Sequence, residues 1–306
     1  MGSEEYPQLR LINTDDISGA SRTSLRYITL SHKWGEANFL TLTLSNRLEL
    51  EHGIGFAELS QNFKDAVLIT RRLGYRYLWI DSLCIIQDSI TDWELEAKVM
   101  HQVYQNSFLN IAASEADGHR QGLLKQKDPS HWSSFRVRFK TNTLEEDYLC
   151  FLDAWEYIKY GAPLNRRGWV LQERLLSPRT IHFASPIYWE CRELVACPAR
   201  SWNYSINNQW YKFNKIWPSF DSSIRDALRL WESCLARYTE CLLTKSSDKL
   251  IAISGIARTM HRVIKGNYTA GLWDQHLIRG LTWIGTKDST GLCKSSQRAE
   301  SYRGMI

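Results

Sequence analysis

The 306-residue sequence contains no apolar run approaching the ~18 residues that cross a bilayer, and its start, Met1-Gly2-Ser3-Glu4-Glu5, lacks the apolar segment of a secretory leader. That pattern excludes a membrane span and makes the cytoplasm the default location. Neither a P-loop nor a G-x-G-x-x-G is present, so a nucleotide site has to be argued from other residues. Internal repeats and low-complexity tracts are also missing. There is no C-x-x-C. The 7 cysteines form an odd set in a chain without an export signal, which favours thiols over disulfides. Cys191 and Cys197, with His182 upstream, match no common zinc spacing, so no metal is expected. Charge of one sign is scarce too: 38 Lys and Arg against 33 Asp and Glu leave +5, spread along the chain, which falls short of a nucleic-acid footprint.

What remains is 43% hydrophobic and 23% charged, a globular composition with 13 tryptophans as its oddity. Residues 1–24 are polar and read as a lead-in. Tyr27–Ser31 is a buried strand running into the polar loop Ser31-His32-Lys33-Trp34-Gly35. Asn62–Leu73 has helical spacing and stops at Gly74; Tyr77–Asp81 is a second strand, Thr91–Asn106 a helix, and Phe108–Ala113 a third strand. This alternation predicts an α/β fold with a central, mainly parallel sheet flanked by helices. Past a polar stretch over 115–147, Asn165–Leu176 reads as a helix, and Thr180–Ala184 with Ile187–Cys191 as a hairpin across Ser185-Pro186. The remainder, 196–306, is expected to be a mainly helical lobe. An amphipathic stripe runs from Ala227 to Leu242, with further helices at Leu250–Met260 and Trp273–Trp283.

The helix after Asp88 carries the first chemical signal. Thr91 and Glu94 have capping-box spacing, while Trp93, Ala97, Met100 and Tyr104 form the apolar stripe; Lys98, His101 and Gln102 fall on the other side. Glu96 lies on the apolar side with no capping role. Such a carboxylate either finds a buried ion-pair partner or lines a cavity, where desolvation raises its pKa. Asp81, at the end of the second strand, and His32 and Lys33, after the first, sit where ligands gather in open α/β sheets. Asp81 could equally cap the next turn, and Trp34 could be core. Cys84 with His32 and Asp81 has the atoms of a cysteine hydrolase, but its apolar run Leu83–Ile86 argues for an inert thiol. Over 165–176 both helix sides are apolar, so Gln172, Glu173 and Arg174 need specific partners. A structural polar network is the first reading and anion binding by Arg174 or Arg179 the second.

Several blocks together resemble the fungal heterokaryon incompatibility (HET) domain. They are Ser31-His32-x-Trp34-Gly35, Phe63-x-Asp65-Ala66-Val67, the run Leu73 to Asp88, Asp92-Trp93-x-x-Glu96, and Trp169-x-Leu171-Gln172-Glu173-Arg174-Leu175-Leu176-Ser177-Pro178-Arg179. The resemblance covers about 25–195 and departs at His32, where the family commonly has Tyr, and at Ser60, where it often has Pro. It implies non-self recognition, regulated cell death, and self-association or pairing with other incompatibility proteins. The family is in turn distantly similar to Toll/interleukin-receptor (TIR) domains, some of which cleave NAD and carry a Trp one helical turn before a catalytic Glu, usually at a spacing of four. That likeness implies a TIR- or flavodoxin-like core with insertions and NAD or a related nucleotide as substrate. It assigns Glu96 as the catalytic carboxylate, with Ser31, His32, Lys33, Trp34, Asp81, Trp93, Arg174 and Arg179 around the substrate. A non-catalytic module that kills through partners is the alternative.

Overall fold

The computed structural model describes residues 8–17, 25–35, 38–124, 135–141, 145–150, 154–198, 204–205, 215 and 223–281. In chain order the elements are β1 (Tyr27–Ser31), α1 (Arg47–His52), α2 (Gln61–Arg72), β2 (Tyr77–Ile80), α3 (Asp81–Cys84), α4 (Ile90–Asn106), β3 (Leu109–Ala112), β4 (Phe135–Lys140), β5 (Glu145–Cys150), α5 (Gly168–Leu176), β6 (Arg179–His182), β7 (Tyr188–Cys191), β8 (Leu194–Ala196), β9 (Tyr204–Ser205), α6 (Ile224–Glu240), α7 (Ile251–Ile264), β10 (Tyr268–Thr269), β11 (Leu272–Trp273) and α8 (Leu277–Leu281). Strands β2-β1-β3-β6-β7-β8-β9 form one seven-stranded sheet. Its first four strands are parallel, as the strand–helix alternation predicts, and a hairpin at β6–β7 starts an antiparallel extension. The expected hairpin across Ser185-Pro186 is this β6–β7 turn.

Strand register divides the sheet into two chemically unlike faces. On one lie Ile28, Leu30, Ile80, Leu109 and Ile111, packed with Phe63, Ala66, Val67 and Ile69 of α2 and Leu50 of α1 into one apolar core. Trp79, Thr29, Asn110, Thr180 and Glu190 are register partners on the other. A parallel sheet covered on both sides is normally apolar on both. Here the second face is polar, buried, and roofed by α4 and α5, with α7 packed across both helices. Thr29 and Ser31 hydroxyls lie 3.0 and 3.2 Å from Asn110 Oδ1, and Asn110 Nδ2 donates to Ser31 Oγ at 3.0 Å.

Local differences from the sequence reading each have a cause. Helix α4 is capped by Ser89, whose Oγ accepts from the Asp92 N–H, so Thr91 lies inside the helix and Glu94 is exposed without a capping role. Asp92 turns back to accept from the Ile86 N–H at 2.7 Å, which fixes the loop entering the helix. His101, expected on the outer side, is buried because α7 crosses α4 there. The helix expected over 165–176 breaks at Arg167, which is extended: Leu242 N–H donates to Arg166 O and Gly168 N–H to Leu242 O, a two-bond strap from the end of α6. Trp273 lies in a β10–β11 hairpin turned by Gly271 at φ +100°; of the expected last helix the described residues form a 3-10 turn at Asp274–His276 and α8 at Leu277–Leu281, and Trp283 lies outside them. The polar stretch 115–147 contributes the strand β4, paired with β5. Free thiols are present at Cys84, Cys191, Cys197, Cys234 and Cys241.

A second apolar cluster joins α5, α6 and α7 through Leu171, Leu175, Trp231, Ile253 and Ile256. Gly255 is its tightest point, since its N–H donates to Gln172 Oε1 at 2.9 Å, and an added Cβ would lie 2.2 Å from His101 Cβ and 2.4 Å from Gln172 Oε1. Gly255→Ala is expected to lower unfolding free energy by about 1–3 kcal/mol through overpacking, read as a reduced urea midpoint with an unchanged slope.

Candidate functional site

The chain passes from β1 to β2 on one side and reaches β3 on the other, so strand order reverses at β1, the position where α/β sheets open a crevice at their carboxyl ends. Ser31 ends β1 on the polar face. His32 points the opposite way, its ring edge-on to Phe63 at 5.0 Å and Phe39 at 6.1 Å. Burial holds its pKa down to about 4, and among the described residues neither ring nitrogen has a hydrogen-bond partner. Asp81, just beyond β2, has Oδ1 at 3.6 Å from His32 Nδ1. The same carboxylate accepts from its neighbour Ser82 N–H at 2.7 Å and from Trp34 Nε1 at 3.1 Å. Asp81 is the first residue of α3, with no side-chain cap at Ile80 before it, and it ties the two strand ends together. Its side chain remains 19% exposed and Trp34 is half-buried, which places both at the mouth.

Glu173 closes the crevice from the roof. Loss of solvation raises its carboxyl pKa to about 7; Asp81 pushes it further up, while the Arg167 charge and the Ser31 and Tyr104 hydroxyls pull it down. The Tyr104 phenol, also within 3.5 Å of the Leu30 carbonyl, is raised well above its ordinary value by burial and by the Glu173 and Asp81 charges. Arg167 donates from Nη1 to the His32 carbonyl, so the extended residue that interrupts the expected helix is the one that brings a guanidinium into the crevice. Sequence reasoning left Arg167 and Tyr104 out and assigned Glu173 to a structural network. Glu173 follows Trp169 by four residues, whereas Glu96 follows Trp93 by three.

Glu96 is half-buried in α4, with its pKa raised first by desolvation and then by Asp92. Among the described residues no arginine pairs with it, and it lies near enough to Cys84 to help raise that thiol's pKa. Burial is the larger cause and brings Cys84 to about 12, an inert thiol at neutral pH. Trp93 packs edge-on against Trp169 at 6.4 Å, and Trp169 Nε1 donates to Asp248 at 3.1 Å. Lys33 is near the mouth but engaged by Asp117 at 2.5 Å. Phe39 separates His32 from a surface cavity of about 300 Å³ whose lining includes Asn38, Ser60, Gln61 and His119.

Arg174 and Arg179 are not brought to this crevice. Arg174 makes a two-pronged contact with Glu190, Nε at 3.0 Å and Nη2 at 2.7 Å, over the Trp155 ring. Glu190 also meets His182 Nε2 at 2.9 Å and Lys215 Nζ at 3.5 Å, and this surrounding positive charge holds its pKa well below the usual carboxylate range. His182 is neutral, with a pKa lowered to about 4 by burial. Its Nε2–H therefore donates to the carboxylate, and Nδ1 accepts from Ser114 Oγ at 3.0 Å. Arg179 begins β6 at the opposite, amino end of the sheet.

Residues 27–173 match the family model described as Heterokaryon incompatibility protein (HET). This match supports a HET domain running from the first residue of β1 to Glu173. No curated protein and no solved structure matches the chain. No helix among the described residues is long and apolar enough to cross a membrane.

The two polar clusters behave oppositely on substitution. Native Glu173 keeps its proton up to about pH 7, whereas an unfolded glutamate releases it near ~4.3, so unfolding releases a proton between those values and stability falls as pH rises through that window. Glu173→Gln is expected to flatten the slope there and to raise the urea midpoint relative to wild type at pH 8. Glu190→Gln, which strands two buried cations, is expected to cost about 3–5 kcal/mol at neutral pH in the same measurement.

Proposed function

We propose that this chain acts in heterokaryon incompatibility in a fungal cell, as a trigger of regulated cell death, and does so by breaking the nicotinamide–ribose bond of NAD in the crevice at the end of β1. The observation that carries the reading is a carboxyl group, Glu173, buried at the carboxyl end of β1 beside Asp81 and Arg167, with its pKa raised by burial to about 7. When the N–C1′ bond breaks, its electron pair leaves with neutral nicotinamide, and positive charge develops on the ribose. A preorganised carboxylate stabilises that oxocarbenium-like charge, as in glycosidases. Water then adds to C1′ and gives up a proton. Glu173, when ionised, faces this charge, and Glu96, nearer the solvent, holds the ribose hydroxyls. Trp34 offers a ring at the mouth, and Ser31 and Tyr104 orient the Glu173 carboxylate. His32 and Asp81 shape the floor, while Trp93 is committed to packing on Trp169.

Purified protein incubated with NAD should release nicotinamide, with a rate that rises with pH through about 7 as Glu173 ionises. Glu173→Gln should lower kcat by about 10²-fold or more, the scale of losing one preorganised electrostatic group, with the fold retained by circular dichroism. Glu96→Gln should act mainly on KM. Turnover unaffected by both substitutions would move the site elsewhere.

A second reading, death through assembly without catalysis, is favoured by exposed Leu48 and Ile90, 80% and 79% accessible, and by exposed Leu44, whose N–H is held by Asp88 beside Ile90. Absence of turnover in every assembly state, together with concentration-dependent oligomers by light scattering, would select it.

A further inference from the structure

The amino end of the parallel sheet, opposite the crevice, carries a row of arginines set by strand order. Arg76 immediately precedes β2, Arg26 precedes β1, Phe108 precedes β3, Arg179 opens β6, and Arg192 follows β7 beside it. Adjacent strands lie ~4.8 Å apart, so the row spans roughly 20 Å and is one residue deep.

Phe108 is its floor. Tyr75 packs on that ring at 4.5 Å, the Arg179 guanidinium lies 4.9 Å from its centre and that of Arg26 6.0 Å. Arg179 also donates to the Phe108 carbonyl at 3.3 Å, which holds its fork in place. Arg76 lies over Tyr77 at 5.9 Å. The Arg192 pKa is lowered, first by desolvation and then by the charge of Arg179. Among the described residues no carboxylate forms an ion pair with Arg26, Arg76 or Arg179. Like charges gathered in this way repel one another, and a bound anion relieves the repulsion.

Protection of the sheet edge is the simplest use of such charges, since arginines beside an outer strand discourage pairing with another chain. That accounts for Arg76 next to β2 but not for Arg26 and Arg179, which flank interior strands and converge on one ring. Bases of a single-stranded nucleic acid would need a free aromatic face to stack on. The Phe108 ring is already occupied by Tyr75 and two guanidiniums. What the row offers is a line of guanidinium forks, suited to carboxylates.

We propose that the amino end of the sheet is a docking surface for an extended acidic segment of a partner protein, laid across Arg76, Arg26 and Arg179. This site is separate from the crevice and does not rest on NAD chemistry.

The test measures fluorescence anisotropy of a labelled peptide alternating Glu and Ser, with its Gln-and-Ser counterpart and an oligouridylate of similar length as controls. Arg26 and Arg76 are exposed, and among the described residues their side chains donate no hydrogen bond, so the Arg26→Glu/Arg76→Glu variant keeps the fold, as circular dichroism would verify. Expected results are binding of the Glu peptide that weakens with added salt, little binding of the Gln peptide, and about tenfold weaker binding by the double variant, as two rim ion pairs turn repulsive. Failure of the Glu peptide to bind, equal affinity for the double variant, or tighter binding of oligouridylate would overturn the proposal.

Discussion

A sheet roofed on both sides must satisfy from within every polar group it buries, and much of this molecule follows from the decision to bury polar groups on one face only. The apolar face makes an ordinary core with α1 and α2. Across the polar face, Thr29, Ser31, Asn110, Thr180, His182 and Glu190 are all essentially inaccessible to water. Two solutions appear side by side on that face. At the antiparallel side Glu190 is matched by Arg174, Lys215 and a neutral His182, a closed arrangement with little chemical freedom. At the crevice Glu173 faces Asp81 as well as Arg167, so its charge is incompletely offset and its proton is loosely held at neutral pH.

That contrast separates a carboxylate held as a fixed charge from one whose proton affinity is raised. Glu190 and Glu173 are equally buried and both lie close to an arginine, yet their affinities for a proton move in opposite directions. Geometry accounts for it. Arg174 engages Glu190 through two parallel hydrogen bonds, whereas Arg167 spends a guanidinium nitrogen on the His32 carbonyl.

The order of strands and helices was readable because β-branched runs and helical spacing agree with one another over 27–113, and the register then follows from the parallel pairing. The crevice was partly readable: Asp81, His32 and Trp34 sit at strand ends, and strand ends in such sheets converge. Arg167 could not be read. It enters the crevice because Leu242, 75 residues later, straps the chain open at that point, and no local pattern encodes so distant a contact. Arg174 fits its first reading, a polar network, while the second, an anion contact by Arg174 or Arg179 at the crevice, fails for a related reason. A residue's position in a conserved-looking run of sequence does not reveal which face of a helix or which end of a strand it occupies, and here one points into the Glu190 cluster and the other away from the crevice. His101 was assigned to solvent because helical periodicity describes a single helix and is blind to a second one laid over it.

Gln172 and Glu173 are neighbours in one turn of α5, the first fastened to the backbone of α7 and the second lining the crevice. The two jobs are therefore mechanically inseparable. Any rotation of that turn that re-aims the carboxyl must also wrench the amide from Gly255, where there is no slack for a single methyl group. The helical cover thereby fixes the direction of the carboxyl beneath it, through an amide hydrogen bond one residue away.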